Sequence, residues 1–121
     1  MSGSGAPNPV DIKLRTESRL LEVRFDDGSQ YALPFEYLRA FSPSAEVTGH
    51  GAGEGVLQVG KQNVGITGIE PVGNYALRIF FDDGHNTGLY SWSVLNELGR
   101  KQQANWARYL ERLAQAGKSR S

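Results

Sequence analysis

The stretch Leu21-Glu22-Val23-Arg24-Phe25-Asp26-Asp27-Gly28 decides the fold. Leu21, Val23 and Phe25 alternate with Glu22 and Arg24, the two-residue period of a strand with one buried face. Asp26-Asp27-Gly28 ends the run. An Asp-Gly pair tolerates the positive φ of a tight turn, so the chain is expected to return as a strand over residues 29–33. The octet recurs as Leu77-Arg78-Ile79-Phe80-Phe81-Asp82-Asp83-Gly84, with Leu89-Tyr90 pairing back. Each copy leads into an aromatic-rich helix. The first is placed at residues 34–40, with Pro34 in its first turn. The second is placed at residues 92–98, with Ser91 as N-cap. One hairpin–helix unit alone would leave a sheet face and a helix stripe in water, whereas two can bury them against each other. The expected class is α+β: a mostly antiparallel sheet built from two hairpin–helix units, with a C-terminal amphipathic helix.

Outward from these units, Val10, Ile12 and Leu14 alternate with Asp11, Lys13 and Arg15, a half-buried strand. Residues 41–68 are punctuated by glycine and read as a long loop with short strand pieces at 56–59 and 63–67. Residues 66–72 are apolar and β-branched, and Gly73-Asn74 turns the chain into a strand over 75–81. Gly99 is expected to end or kink the second helix. Trp106, Tyr109, Leu110 and Leu113 stand at helical spacing within residues 101–116. Residues 1–9 are expected to be a flexible lead, 10–116 a single domain and 117–121 a basic tail.

The chain has 121 residues, 39% of them hydrophobic, which suits one globular domain. Thirteen Lys and Arg balance thirteen Asp and Glu. A zero net charge argues against a protein that relies on a global positive field, so nucleic acid is not an expected partner. Cysteine is absent, which excludes disulfides, thiolate catalysis and cysteine-held zinc or iron–sulfur clusters. No apolar run approaches the ~20 residues of a membrane span, and residues 1–9 have no secretory pattern. A cytoplasmic protein with no membrane partner is expected.

Few residues write a chemistry. The Asp pairs 26/27 and 82/83 have the composition of acid–base or metal sites, but a hairpin turn explains both copies. Gly49-His50-Gly51-Ala52-Gly53-Glu54-Gly55 has the glycine content of a phosphate cradle. It lacks the following Gly-Lys-Ser/Thr and helix start, so a partner-binding loop is the functional reading. His50 and His85 are the only histidines. Asp82, Asp83 and His85 can at most offer a histidine–carboxylate pair. A small enzyme around His85 would lack a visible base, nucleophile and orienter, and no Gly-x-Ser-x-Gly elbow is present. Most aromatics, Tyr75 among them, are expected in the core. Arg100, Lys101, Arg108 and Arg112, interleaved with the apolar stripe, fit a solvated helix face or a surface for an acidic partner.

Three segments together resemble a known family. They are residues 37–51 (Tyr37-Leu38-Arg39-Ala40-Phe41-Ser42-Pro43-Ser44 onward), Glu70-Pro71-Val72-Gly73-Asn74-Tyr75 after Val64-Gly65-Ile66, and Phe81-Asp82-Asp83-Gly84-His85 before Gly88-Leu89-Tyr90-Ser91-Trp92. They look like the small bacterial family related to the N-terminal domain of gamma-butyrobetaine hydroxylase, over residues 12–113. In the hydroxylases the resemblance implies a module preceding an iron- and 2-oxoglutarate-dependent catalytic domain, with a structural zinc on three cysteines and a histidine. Laid on this sequence, the cysteine positions fall on Ser42, Ser44 and Val47, and the histidine on His85. A hydroxyl is a poor zinc ligand and valine is none. Zinc or iron is therefore implied by resemblance only, and no cofactor is expected. Related modules fused to P-loop carriers of iron–sulfur cluster assembly imply an accessory role. The leading expectation is a non-catalytic interaction module with a protein partner, its surface carrying His50, Asp83, Tyr90 and Trp92. The alternatives are an iron- or zinc-binding accessory protein linked to iron/2-oxoglutarate oxygenases or iron–sulfur cluster assembly, with His85 and Asp83 as ligands and His50 as a further candidate, and a small enzyme around His85.

Overall fold

The computed structural model describes residues 7–42, 60–83 and 88–118. Two antiparallel three-stranded sheets are present. Strands β1 (Pro9–Arg15), β2 (Leu20–Phe25) and β3 (Gln30–Pro34) form the first, in the order β1-β2-β3, and run into helix α1 (Phe35–Ala40). Strands β4 (Ile66–Val72), β5 (Ala76–Phe81) and β6 (Gly88–Ser91) form the second, in the order β4-β5-β6, and run into α2 (Trp92–Arg100). Helix α3 (Gln102–Gln115) follows. The α+β class is as expected. Each repeat, however, is three strands and a helix, one strand more than the hairpin–helix unit.

The two repeats agree down to single hydrogen bonds. Leu21 pairs with Leu33 where Leu77 pairs with Tyr90, and Leu20 pairs with Pro34 where Ala76 pairs with Ser91. Each first strand carries a bulge at the same place. Pro9 opposes Phe25 and Asp11 opposes Arg24, as Ile66 opposes Phe81 and Gly68 opposes Phe80. Asp26 N–H donates to Asn8 O and Asp82 N–H to Gly65 O, both at 2.8 Å. Phe35 N–H donates to Arg19 O and Trp92 N–H to Tyr75 O, both at 3.1 Å. The first bulge corrects the strict alternation read for β1. An extra residue changes the face presented beyond it, so Val10 stands 54% exposed.

One core unites the repeats. Leu21, Val23, Phe25 and Leu33 join Leu77, Ile79, Phe81 and Tyr90, with Phe35, Tyr37 and Leu38 of α1 and Leu95 and Leu98 of α2. Fully burying each aliphatic side chain contributes about 1.5–3 kcal/mol. Helix α3 joins through rings: Tyr37 lies 5.1 Å from Phe41 and 6.2 Å from Trp106, and Trp106 lies 5.0 Å from Tyr109. Tyr109 and Leu113 are buried, while Leu110 of the expected stripe remains 39% exposed.

Other boundaries differ from the sequence reading. Ser91 caps α2 as expected, its Oγ accepting from Val94 N–H at 3.1 Å. Pro34 sits at the N-cap rather than inside α1, with φ −62° and ψ 148°, because it also ends β3 opposite Leu20. Tyr75 belongs to the β4–β5 turn and is 56% exposed. The strand piece placed at 63–67 begins only at Ile66, since Val64 N–H closes a turn onto Lys61 O at 3.1 Å. The piece at 56–59 and the glycine run at 49–55 lie outside the described residues.

Gly99 lies within the last turn of α2, which ends one residue later at Arg100, with Lys101 separating it from α3. A Cβ there would stand 2.3 Å from Tyr31 Cγ, so the residue is small to let a tyrosine ring rest on the helix backbone. Gly99→Ala is expected to cost about 1–3 kcal/mol through overpacking, despite alanine's better helix propensity. Denaturant melts of the two proteins check this, and a stabilised variant would refute it.

Candidate functional site

Helix α1 has six residues, too few to satisfy its own C-terminal carbonyls. Phe41 N–H donates to Tyr37 O at 3.0 Å and Ser42 N–H to Arg39 O at 3.3 Å. The carbonyl between them, Leu38 O, accepts from the Tyr90 hydroxyl at 2.5 Å. The converse cap joins α1 to α2, where the Tyr37 hydroxyl donates to Leu98 O at 2.7 Å and accepts from Asn105 Nδ2 at 3.0 Å. Each repeat's tyrosine thus closes the helix end of the other.

These caps fix the corner at which α1 ends and β5 enters its hairpin. Arg39, in the last turn of α1, is only 9% exposed at its side chain, and its Nε donates to Asp83 Oδ2 at 2.9 Å. Its guanidinium carbon lies 5.9 Å from the centre of the Phe81 ring. Lys61 Nζ reaches the same Asp83 oxygen at 2.8 Å. One carboxylate therefore ties the first repeat, the segment entering β4 and the second hairpin. Arg19 adds a bond between repeats, its Nη2 donating to Val64 O at 2.5 Å.

The two Asp-Asp-Gly turns have diverged in role. Asp27 performs the turn chemistry, with its Oδ1 accepting from Ser29 N–H at 2.9 Å and Ser29 Oγ at 2.6 Å. The Ser29 hydroxyl first, and its N–H second, lower the Asp27 pKa. Asp83, at the equivalent position, holds two cations instead. Local sequence makes both copies read as turns. The signal that separates them is a pair of distant cations, Arg39 and Lys61, which no local pattern connects to Asp83.

The residues expected to form one binding surface are only partly brought together. Asp83 and Ser42 both bond Arg39, Asp83 Oδ2 accepting from its Nε and Ser42 N–H donating to its carbonyl, and the Ser42 hydroxyl hydrogen-bonds the Tyr90 phenol. Tyr90 itself is wholly buried, so it holds the corner from beneath and is corrected from a surface residue to a strut. Trp92 is elsewhere. Its Nε1 donates to Asn74 O at 2.7 Å, at the β4–β5 turn, the end of the second sheet remote from the Asp82-Asp83 hairpin. Ser44, Val47, His50 and His85 lie outside the described residues.

The donor set does not suit the zinc that the resemblance implies. The chain has no cysteine, and two hydroxyls, a valine and one imidazole do not replace three thiolates. The Ser42 hydroxyl is already bonded to Tyr90. The Asp83 oxygen nearby is held by two cations, whose charge opposes a third.

Burial pushes the Tyr90 phenol well above its ordinary range and pushes Tyr37 up as well. A raised phenol pKa favours the neutral form in the folded state. Its contribution is complete below the ordinary tyrosine value of 10.0 and is lost as pH climbs from there towards the folded values. Denaturant midpoints measured between about pH 8 and about pH 11 should fall above pH 10, with a smaller tyrosine-dependent fall in Tyr90→Phe. Equal pH dependence in the two proteins would contradict the assignment.

The family described as "Gamma-butyrobetaine hydroxylase-like, N-terminal" matches residues 12–96. Two proteins with NMR solution structures are similar. One is 50% identical, covering 97% of this chain and 92% of its own, with a TM-score of 0.83. The other is 51% identical, covering 99% and 89%, with a TM-score of 0.85. A crystal structure of a protein of unknown function from Acidithiobacillus ferrooxidans, of the DUF971 family, is 36% identical over 76% of this chain and 92% of its own, with a TM-score of 0.63. No curated protein matches.

Proposed function

Because the chain belongs to the gamma-butyrobetaine hydroxylase-like N-terminal family, we propose that it acts as a non-catalytic accessory module. In this reading it docks a protein partner through the corner where α1 ends and the β5–β6 hairpin begins. The observation that carries the reading is the three-way contact of Arg39, Lys61 and Asp83. It commits the charged groups of the corner to holding two repeats in register. A carboxylate held by two cations is a poor base and a poor ligand, but a fixed corner is a good platform for recognition. Metal chemistry takes no part in this reading, since the donor set does not fit.

The test uses affinity capture from the protein's own cell extract with three baits: the natural chain, Asp82→Lys and Glu17→Lys. Asp82 is exposed beside Asp83, and Glu17 is exposed in the β1–β2 turn. A defined partner retained by the natural chain and by Glu17→Lys, but lost with Asp82→Lys, is the expected result. A partner retained equally by all three, or no stoichiometric partner, contradicts it. Folding of each bait is confirmed by its NMR spectrum.

A further inference from the structure

Successive residues of an antiparallel strand bond alternately to one neighbour and to the other. In the first sheet Phe25 N–H donates to Ser29 O on the β3 side, and Asp26 N–H donates to Asn8 O on the β1 side. That phase turns the N–H and C=O of Leu21 and Val23 towards β3. Their cross-strand partners on β1, Leu14 and Ile12, therefore form the pairs that are not bonded to β2. The N–H and C=O of Ile12 and Leu14 point outward from the sheet edge. Among the described residues no strand takes them, because β1 has β2 as its one neighbour. The second repeat treats the same edge differently. Pro71 pairs with Leu77 where Leu14 pairs with Leu21, and a proline there has no N–H to offer an incoming strand. The first repeat leaves open what the second closes.

The open edge is complementary to itself. Ile12 packs against the core, while Asp11 and Lys13 flank it on the other face of the strand. Acid–apolar–base in one direction is base–apolar–acid in the other. We infer that β1 pairs with β1 of a second copy, antiparallel about a two-fold axis at Ile12, joining two three-stranded sheets into one of six. The two Ile12 residues exchange both backbone hydrogen bonds, and Asp11 of each copy faces Lys13 of the other in the closer, non-bonded pairs. Within the strand Asp11 and Lys13 touch loosely, at 3.8 Å. Pairing keeps that contact and sets the four groups in a square of alternating charge. Moving the axis by one residue would set Asp11 against Asp11 or Lys13 against Lys13, and moving it to Leu14 would set Lys13 against Arg15. Like charges directly opposite oppose those registers. The charge pattern thus selects the second copy among possible strands, and fixes its register.

The test is sedimentation equilibrium with amide hydrogen exchange on the same samples, up to about 1 mM protein, since a single strand pair makes a small interface and a weak dimer. The average mass should rise towards two chains and no further. The Ile12 and Leu14 amides should exchange freely in dilute solution and become protected as the dimer fills. Asp11→Lys and Lys13→Asp should each weaken association at least about tenfold, and the two together should restore it. Thermal melts confirm that each variant folds. Asp82→Lys, at the proposed docking corner, should associate as the natural chain does, so the two readings fail separately. A monomer at every concentration, an Ile12 amide protected even in dilute solution, growth beyond two chains, loss of association in Asp82→Lys, or a charge swap that restores nothing would each overturn the inference.

Discussion

Asp83→Asn is expected to lower folding stability by about 2–4 kcal/mol. The Arg39 side chain is 9% exposed, so its charge is largely out of water. Its Nη1 is buried and has no hydrogen-bond partner among the described residues. Among the described residues its compensation comes from Asp83 and from the face of Phe81. Removing one member of a buried pair strands the other, at about 3–5 kcal/mol. The Asp83 side chain is 22% exposed, and water reaching its position reduces that figure. Lys61 is 21% exposed and more readily solvated, so Lys61→Met should cost only about 0.5–1 kcal/mol. For a domain of this size each kcal/mol lowers Tm by roughly 3–5 °C. The double variant Arg39→Met/Asp83→Asn should recover much of the loss, since the buried guanidinium is no longer stranded and the Lys61 left behind is the more readily solvated cation. A cost below about 1 kcal/mol for Asp83→Asn would show that the corner is held by packing instead.

Tyr90→Ala is expected to cost about 3–5 kcal/mol, and Tyr90→Phe about 1–3 kcal/mol. The first removes a fully buried ring from the core shared by both repeats. The second leaves that ring in place but strips Leu38 O of its donor and the Ser42 hydroxyl of its acceptor. Leu38 O ends a helix too short to satisfy it internally, and an unpaired buried carbonyl carries its whole desolvation cost. Equilibrium denaturation of both variants measures the two terms separately. If Tyr90→Phe were neutral, water would be reaching the α1 terminus and the inter-repeat cap would not be a structural bond.

The repeat was legible because its determinants are local. Alternation in Leu21-Val23-Phe25 and Leu77-Ile79-Phe81, an Asp-Gly turn, and Ser91 ahead of a helix are each readable within a few residues. What escaped reading depends on distant neighbours. Gly99 looks like a helix stop in one dimension, and only the Tyr31 ring explains it. Val10 looks inward until a bulge turns it out. Tyr90 and Trp92, two residues apart, look like one aromatic surface. The strand carries the first into the core and the helix start leaves the second against the β4–β5 turn. The site was half legible: the loss of the thiolate ligands follows from composition alone, whereas the Arg39–Asp83–Lys61 contact joins three separate segments of chain.

Arg39, Lys61 and Asp83 join the two repeats at this corner, and the proposed accessory module calls for no metal there. The direct measurement is elemental analysis and thermal melting of the purified chain after equilibration with Zn(II) and dialysis against a chelator. The account predicts far less than one zinc per chain and a melting curve that chelator leaves unmoved. Stoichiometric zinc surviving dialysis, with stability that falls when the metal is finally stripped, would contradict it.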